Sequence, residues 1–216
     1  MTATVSMKTD AQTPSSWSRW LSLAQDAALV TISALFFYSF ATNALETGTF
    51  TNVFFAVEQA LLVGMFLVRR RSVNTSTRIR DWIAATFGTG LPLLIRPHDS
   101  GAAASWVGSG FQLVGLLCVM ISFTTLGKSF GIVAANRGLK VGGPYQFVRH
   151  PIYFSHALTT VGVVIANFWW PNLVIFGMQC AFQVLRIAAE ERVLVATSDY
   201  ASYKERVRWR LVPGLY

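Results

Sequence analysis

Six apolar stretches alternate with polar ones along this chain: Ala27 to Leu45, Asn52 to Val68, Trp82 to Ile95, Ala102 to Leu126, Ile152 to Phe168 and Leu173 to Leu185. The first and fourth are long enough to cross about 30 Å of hydrocarbon as helices. The third is broken up by Gly88, Gly90 and Pro92, and the third, fifth and sixth are short, so each could be tilted, interrupted or re-entrant. The turn-like "ETGTFT" separates the first two stretches, and "NFWWPN" joins the fifth to the sixth with paired tryptophans that suit an interfacial aromatic belt. Residues 1–22 are polar, rich in Ser and Thr, and expected to be a mobile or surface-lying tail. The first apolar run is as long as a spanning helix, which argues against a cleavable signal. The pattern predicts an all-α fold, a polytopic transmembrane helical bundle of five or six spans.

Composition agrees with a membrane protein: 53% of the 216 residues are hydrophobic, 13% are charged, and the mean hydropathy is +0.45. The net charge of +8 raises the question of nucleic acid. Placing the charges along the six-segment topology answers it. With the amino terminus inside, seventeen of the eighteen Lys and Arg, including those of "RRRSVNTSTRIR", fall on the cytoplasmic side or at its helix ends, and only Arg96 falls outside. No nucleic-acid partner is expected; the partners are membrane lipids. Cys118 and Cys180 lie inside apolar runs without Cys-x-x-Cys or His spacing, so no disulfide framework and no metal site is expected.

Two constellations carry candidate chemistry. "GGPYQFVRHPIY", Gly142 to Tyr153, lies between the fourth and fifth stretches. Pro151 disfavours helix at His150 and suits the first helical position, so the fifth helix begins there. Its free N–H groups, with Arg149 and His150 beside them, make an anion seat. Gly142, Gly143 and Pro144 permit close backbone approach, and Tyr145 and Tyr153 offer aromatic walls. The alternative is an interfacial anchor in which Arg149 meets lipid phosphate. In the sixth stretch, Gln179, Gln183, Arg186 and Glu190 are spaced to share one face of a continuous helix, a polar seam that predicts a water-lined pocket near the cytoplasmic interface. Its alternative is an Arg186–Glu190 pair with glutamines bonding neighbouring helices. Glu191 points about 100° away. Glu58 in "FFAVEQALL" is an intramembrane carboxylate, either polarising a substrate or held by another helix. His156 reads as a bonded interior histidine and His98 as an outer-loop residue. "GTG" at Gly88 to Gly90 lacks the strand and helix of a dinucleotide fingerprint, and no Walker or Gly-x-Ser-x-Gly motif is present.

"GPYQFVRHPIY", then "RIAAEERVL", then "YASYKERVRWRLVPGLY" together resemble the isoprenylcysteine carboxyl methyltransferase and phospholipid methyltransferase superfamily of integral membrane enzymes. The resemblance covers roughly Lys140 to Tyr216; the first four stretches match only as generic membrane helices. It implies S-adenosylmethionine as methyl donor and, as cofactor-binding residues, Lys140, Gly143, Pro144, Tyr145, Arg149, His150, Pro151, Tyr153, Glu190, Glu191 and Tyr203. It thereby divides the chain into a tail at 1–22, helices and loops at 23–139, and at 140–216 a methyltransferase core with a cytoplasmic carboxy-terminal cofactor-binding region. The family often has Gly where this chain has Ser155, and Phe-Gly where it has Thr197 and Ser198, which sets it apart from a close match to the eukaryotic prenylcysteine enzymes.

Residue chemistry and resemblance agree on a cytoplasmic donor site with a lipophilic acceptor arriving from the opposite side of the methyl group. Arg186 and Glu190 are the expected catalytic residues, Arg186 orienting an acceptor carboxylate or Glu190 holding or deprotonating an amine, thiol or hydroxyl. The alternatives are a membrane NADPH-dependent reductase, since sterol reductases resemble this region too, and a non-enzymatic transporter or lipid-binding protein. The expected location is an integral position in a bacterial inner membrane with both termini cytoplasmic.

Overall fold

Uninterrupted and interrupted apolar runs fold differently here. The computed structural model describes residues 16–47, 50–68, 74–76, 78–96, 98, 100–129, 134–136, 139–197 and 200–216. Most of the polar tail (1–15), the start of the basic loop (69–73) and Ser198 lie outside the described residues. The first run becomes α1 (Ser16–Thr47), which takes in residues 16–22 of the expected tail. Next come α2 (Phe50–Val68), α3 (Ile79–Gly90) and α4 (Ala102–Leu126), followed by α5 (Pro151–Ala166), α6 (Trp170–Thr197) and α7 (Tyr200–Arg206). Among the described residues, three helices are long and apolar enough to cross a membrane, at Ala27–Glu46, Ala102–Ser129 and Trp170–Ala196. Shorter apolar helices at Phe55–Val68 and Pro151–Ala166 stand with them.

The interrupted third run gives α3, which at 12 residues is the shortest of α1 to α6. Gly90 and Pro92 turn α3 into a 3₁₀ segment, Leu91–Leu94, so helix and 3₁₀ turn together rise about 26 Å. α6 is the opposite case. Its 28 residues rise about 42 Å, carrying Glu190 and Glu191 beyond the hydrocarbon thickness. The sixth apolar stretch is thus only the middle of a longer helix that also holds the polar seam.

α4 and α5 make the closest packing. A Cβ on Gly108 would stand 2.5 Å from Gly162 O, and one on Gly115 would stand 2.3 Å from Thr159 Oγ1 and 2.9 Å from Ser155 O. Small residues at these positions let the two backbones touch, as membrane helix pairs do. Ser155 fits where the family often has Gly because its hydroxyl turns back to donate to Pro151 O at 2.8 Å. α1 and α2 form a second antiparallel pair joined to α4 through Met65, Phe66, Val119 and Phe123. α3 packs on α6.

Both ends of the bundle are tied by polar groups. At one end, fully buried Asn172 donates from Nδ2 to Arg96 O at 2.9 Å and to Asn167 O at 2.8 Å, and its Oδ1 accepts from Arg96 N at 3.1 Å. Trp169 and Trp170 remain exposed there, at the tip of the α5–α6 hairpin. At the basic end, a two-residue antiparallel ladder pairs β1 (Asn74–Thr75) with β2 (Ala135–Asn136). Beside it Arg192 Nη1 lies 3.2 Å from Asp81 Oδ2, linking the start of α3 to the end of α6.

Candidate active site

Local sequence sets the entrance to α5. Gly143, with φ at +54°, opens a 3₁₀ turn over Gly143–Gln146 and packs against Thr125 of α4, where a Cβ would meet Thr125 Oγ1 at 2.8 Å. The chain stays non-helical at His150 (φ −129°, ψ 58°), and Pro151 starts the helix. The residues after α7 return to this entrance. Arg149 N donates to Trp209 O and His150 N to Arg210 O, both at 2.9 Å, while Arg149 Nη1 donates to Val207 O at 3.3 Å. Tyr203 Oη donates to Tyr145 O at 2.6 Å. Burial, ahead of any charge effect, pushes the Tyr203 phenol up to about 12 and the Tyr145 phenol well above the usual range, so both hydroxyls keep their protons.

An anion does sit at this entrance, and it is Glu191. Its Oε1 lies 3.0 Å from Arg149 Nε, an ion pair whose angle is too poor for an aligned hydrogen bond. The same oxygen accepts from Tyr200 Oη at 3.1 Å and lies 3.3 Å from His150 Nε2. Its Oε2 accepts from Arg210 Nη2 at 2.9 Å. Burial first, then Glu191, raises the Tyr200 phenol above its ordinary range, and hydrogen bonding to Glu191 raises Arg210. The expected anion seat of Arg149 and His150 is therefore filled from within the chain. Sequence spacing does turn Glu191 away from the seam, but the partner that it finds there is the carboxy-terminal segment.

Glu190, one residue earlier, faces a cavity of about 420 Å³ instead, well inside the size range of small-molecule pockets, about 300–1,000 Å³. All four seam residues, Gln179, Gln183, Arg186 and Glu190, line this cavity. So do Tyr145, Arg149, His150 and Tyr153 from the α5 entrance. Tyr153 Oη donates to Glu190 Oε2 at 3.0 Å, and His150 Nδ1 is 3.8 Å from the same oxygen. The Arg186 guanidinium lies 5.0 Å over the Tyr153 ring and donates from Nη1 to Thr89 Oγ1 at 3.2 Å and Gln183 Oε1 at 3.1 Å. The hydrogen bonds of Arg186 to Thr89 and Gln183 go to α3 and to its own helix, and the ring under its guanidinium belongs to α5.

Several expected residues stand away from the cavity wall. Lys140 is exposed, and Gly143, Pro144, Pro151 and Tyr203 shape the entrance without lining the cavity. Others were undervalued by sequence. A Cβ on Gly88 would stand 2.8 Å from Arg186 Cδ, and Gly88 O accepts from Gln183 Nε2 at 3.1 Å, so the "GTG" discarded as a nucleotide motif makes room for the seam. Glu58 and His156 also line the cavity and face each other. No one-dimensional spacing joins them, because they come from α2 and α5. Among the described residues no cluster suited to a metal ion occurs.

The comparisons bear on the same region. Residues 98–198 match the family described as phospholipid methyltransferase, just under half of the chain. No curated protein matches the chain.

Proposed function

From the membership of residues 98–198 in the isoprenylcysteine carboxyl methyltransferase and phospholipid methyltransferase superfamily of membrane methyltransferases, we propose that this integral membrane protein transfers a methyl group from S-adenosylmethionine to a lipophilic acceptor. One observation carries the reading: the α5 entrance and the α6 seam, far apart in sequence, line a single cavity. Its residues suit a donor that brings an electrophilic methyl on a sulfonium. Glu190 supplies a negative charge, and the Tyr145 and Tyr153 rings supply faces that favour a cation. Tyr153 holds the Glu190 carboxylate in place through its hydrogen bond. Arg149, Glu191 and Tyr203 act on the donor indirectly, by fixing the backbone of the entrance.

The acceptor enters from the bilayer. Leu29, Ile32, Phe36 and Phe40 of α1 line one wall of the cavity, and Pro92 and Leu93 line another. These walls belong to different helix pairs, α1 with α2 and α3 with α6. A lipophilic chain fits such a seam, and water is kept from the methyl group. The basic end, with both termini, faces the cytoplasm, where the soluble donor is found.

The test is a titration of the purified protein with S-adenosylhomocysteine and NADPH, followed by methyl transfer to lipophilic and water-soluble acceptors in nanodiscs. Binding of S-adenosylhomocysteine alone, with label passing to the lipophilic members, is expected. NADPH binding without S-adenosylhomocysteine binding overturns methyl transfer, and equal rates with acceptors lacking an apolar tail overturn entry from the bilayer.

A further inference from the structure

The cavity has a second polar end, separate from the α5 entrance. Glu58 on α2 is 5% exposed, and its Oε1 lies 3.8 Å from Nδ1 of His156 on α5. That gap is too long for a direct hydrogen bond and is the separation across which a third polar group bridges. Gln179 on α6, 3% exposed, adds a buried Oε1 with no donor among the described residues. All three line the same cavity.

Helix rise puts them at one depth. Measured from the tryptophan end of their helices, Glu58, Gln179 and His156 lie about 12, 14 and 15 Å in, whereas Tyr153 and Arg186 lie about 20 and 24 Å in. The cavity therefore runs from an entrance end at Glu190 and His150, past Tyr153, to a membrane end about one helical turn beyond Tyr153 and about three turns beyond Glu190.

Glu58, His156 and Gln179 each bring an acceptor atom to the membrane end, where the Gln179 amide and the imidazole also bring N–H donors. A carboxylate, an imidazole able to take a proton and an amide oxygen all call for a ligand that donates. An acceptor carboxylate would instead meet Glu58 and Glu190 in a poorly solvated space where like charges repel strongly. Arg186 does not offset this, because its guanidinium is already bonded to Thr89 and Gln183 and laid over Tyr153.

We propose that Glu58, His156 and Gln179 form the head-group subsite for a lipophilic acceptor whose nucleophile carries a proton, a hydroxyl, thiol or amine rather than a carboxylate, and that Glu58 and His156 receive that proton. The proposal rests on the methyl-transfer reading and deepens it. In the step, the acceptor heteroatom uses its lone pair to bond the methyl carbon. The bond from carbon to the sulfonium sulfur breaks, and its electron pair stays on sulfur as a neutral thioether. The proton released from the heteroatom passes to the Glu58 carboxylate or the His156 imidazole. Gln179 Oε1 accepts a hydrogen bond from the incoming head group and fixes its direction.

The experiment uses the full chain in nanodiscs with an alkanol, an alkanethiol, an alkylamine and an alkanoic acid of one chain length. Methylated products are identified by mass spectrometry, and binding of the alkanol without donor is followed by thermal shift. Methylation is expected on one or more of the proton-bearing members and not on the acid. Glu58→Gln should lower kcat at least about a hundredfold while leaving S-adenosylhomocysteine affinity within about twofold, and Glu58→Asp should recover part of the loss. His156→Gln should lower kcat in the same way, and both Gln variants should weaken the alkanol's thermal shift. The acid as preferred acceptor overturns the subsite, as does wild-type turnover in both Gln variants. Loss of S-adenosylhomocysteine binding in step with turnover overturns it too, by assigning the pair to the donor or to the fold. Failure of the wild-type protein to bind S-adenosylhomocysteine sinks the methyl-transfer reading itself, which separates the two failures.

Discussion

Glu190 and Glu191 are neighbours on α6 with opposite surroundings. Glu191 lies in the latch between the α5 entrance and the carboxy-terminal segment, its side chain 7% exposed and in contact with Arg149, His150, Tyr200 and Arg210. Glu190 lies on the cavity wall, 35% exposed, with Tyr153 donating to it and His150 standing off. A turn of about 100° separates a carboxylate whose bonds are filled by its own chain from one with capacity left for a ligand. The difference teaches that a paired acidic motif need not be a paired site. One member builds the wall, and the other faces the chemistry.

Breaking the latch should have the largest effect. Removing Glu191 leaves buried Arg149 without its carboxylate and unties the partly exposed Arg210, and losing one partner of a buried pair costs about 3–5 kcal/mol. Glu191→Ala is expected to release the segment after α7, seen as new limited-proteolysis cuts there and as lost S-adenosylhomocysteine binding. Arg149→Ala should show the same pairing of effects, because Arg149 holds both Glu191 and Val207 O. If either variant keeps its protease resistance while losing the ligand, the latch is a direct binding site and the contrast with Glu190 fails.

The cavity side should respond in turnover and not in fold. Glu190→Gln preserves shape and removes the negative charge that favours the donor, so its melting temperature should stay near that of the parent while methyl transfer falls about a hundredfold, the upper part of the about 1.5–3 kcal/mol that a contact to a charged group contributes. Gly88→Ala sharpens the point from the far wall. The new methyl would press on Arg186 Cδ at 2.8 Å, shifting the guanidinium from its place over Tyr153. A displacement near 1 Å costs up to about a hundredfold in rate, so a somewhat smaller loss than that of Glu190→Gln is expected, with donor affinity intact. Wild-type turnover in Gly88→Ala would show that this wall tolerates movement of Arg186 without disturbing Tyr153.

The two regions also differ in how far sequence reaches. Continuous helices were legible from apolar run length, and α4 has the same limits in sequence and structure because glycines at 101 and 127 bound it with positive φ. The seam was legible because Gln179, Gln183, Arg186 and Glu190 obey one helical period on α6. Pro151 marked the start of α5 for the same local reason. What local period cannot carry is pairing between elements. Arg210 meets Glu191, Gly88 yields to Arg186 and Glu58 faces His156 only once α2, α3, α5, α6 and the carboxy-terminal segment pack. The anion seat was misjudged on that account: its donors were visible in "VRHP", but their occupant lies forty residues on.

The smallest expected effect tests the latch one bond at a time. Tyr203 is 2% exposed, and its phenol donates to Tyr145 O at 2.6 Å, holding the 3₁₀ turn from which Tyr145 reaches the cavity wall. Tyr203→Phe removes that bond and little volume, so a loss of about 0.5–1.5 kcal/mol is expected, read as a modest drop in melting temperature with the cavity residues unchanged. The same bond sets a pH dependence. The phenol's value is raised from 10.0 to about 12, chiefly by burial, so the folded state holds this proton more tightly than the unfolded chain does. The contribution is therefore fully present below pH 10 and is lost as pH rises through about 12. Over that window the parent should lose stability faster than Tyr203→Phe, which has no proton to give up. Parallel curves for the two proteins would mean that Tyr203 does not supply the proton that joins α7 to the α5 entrance.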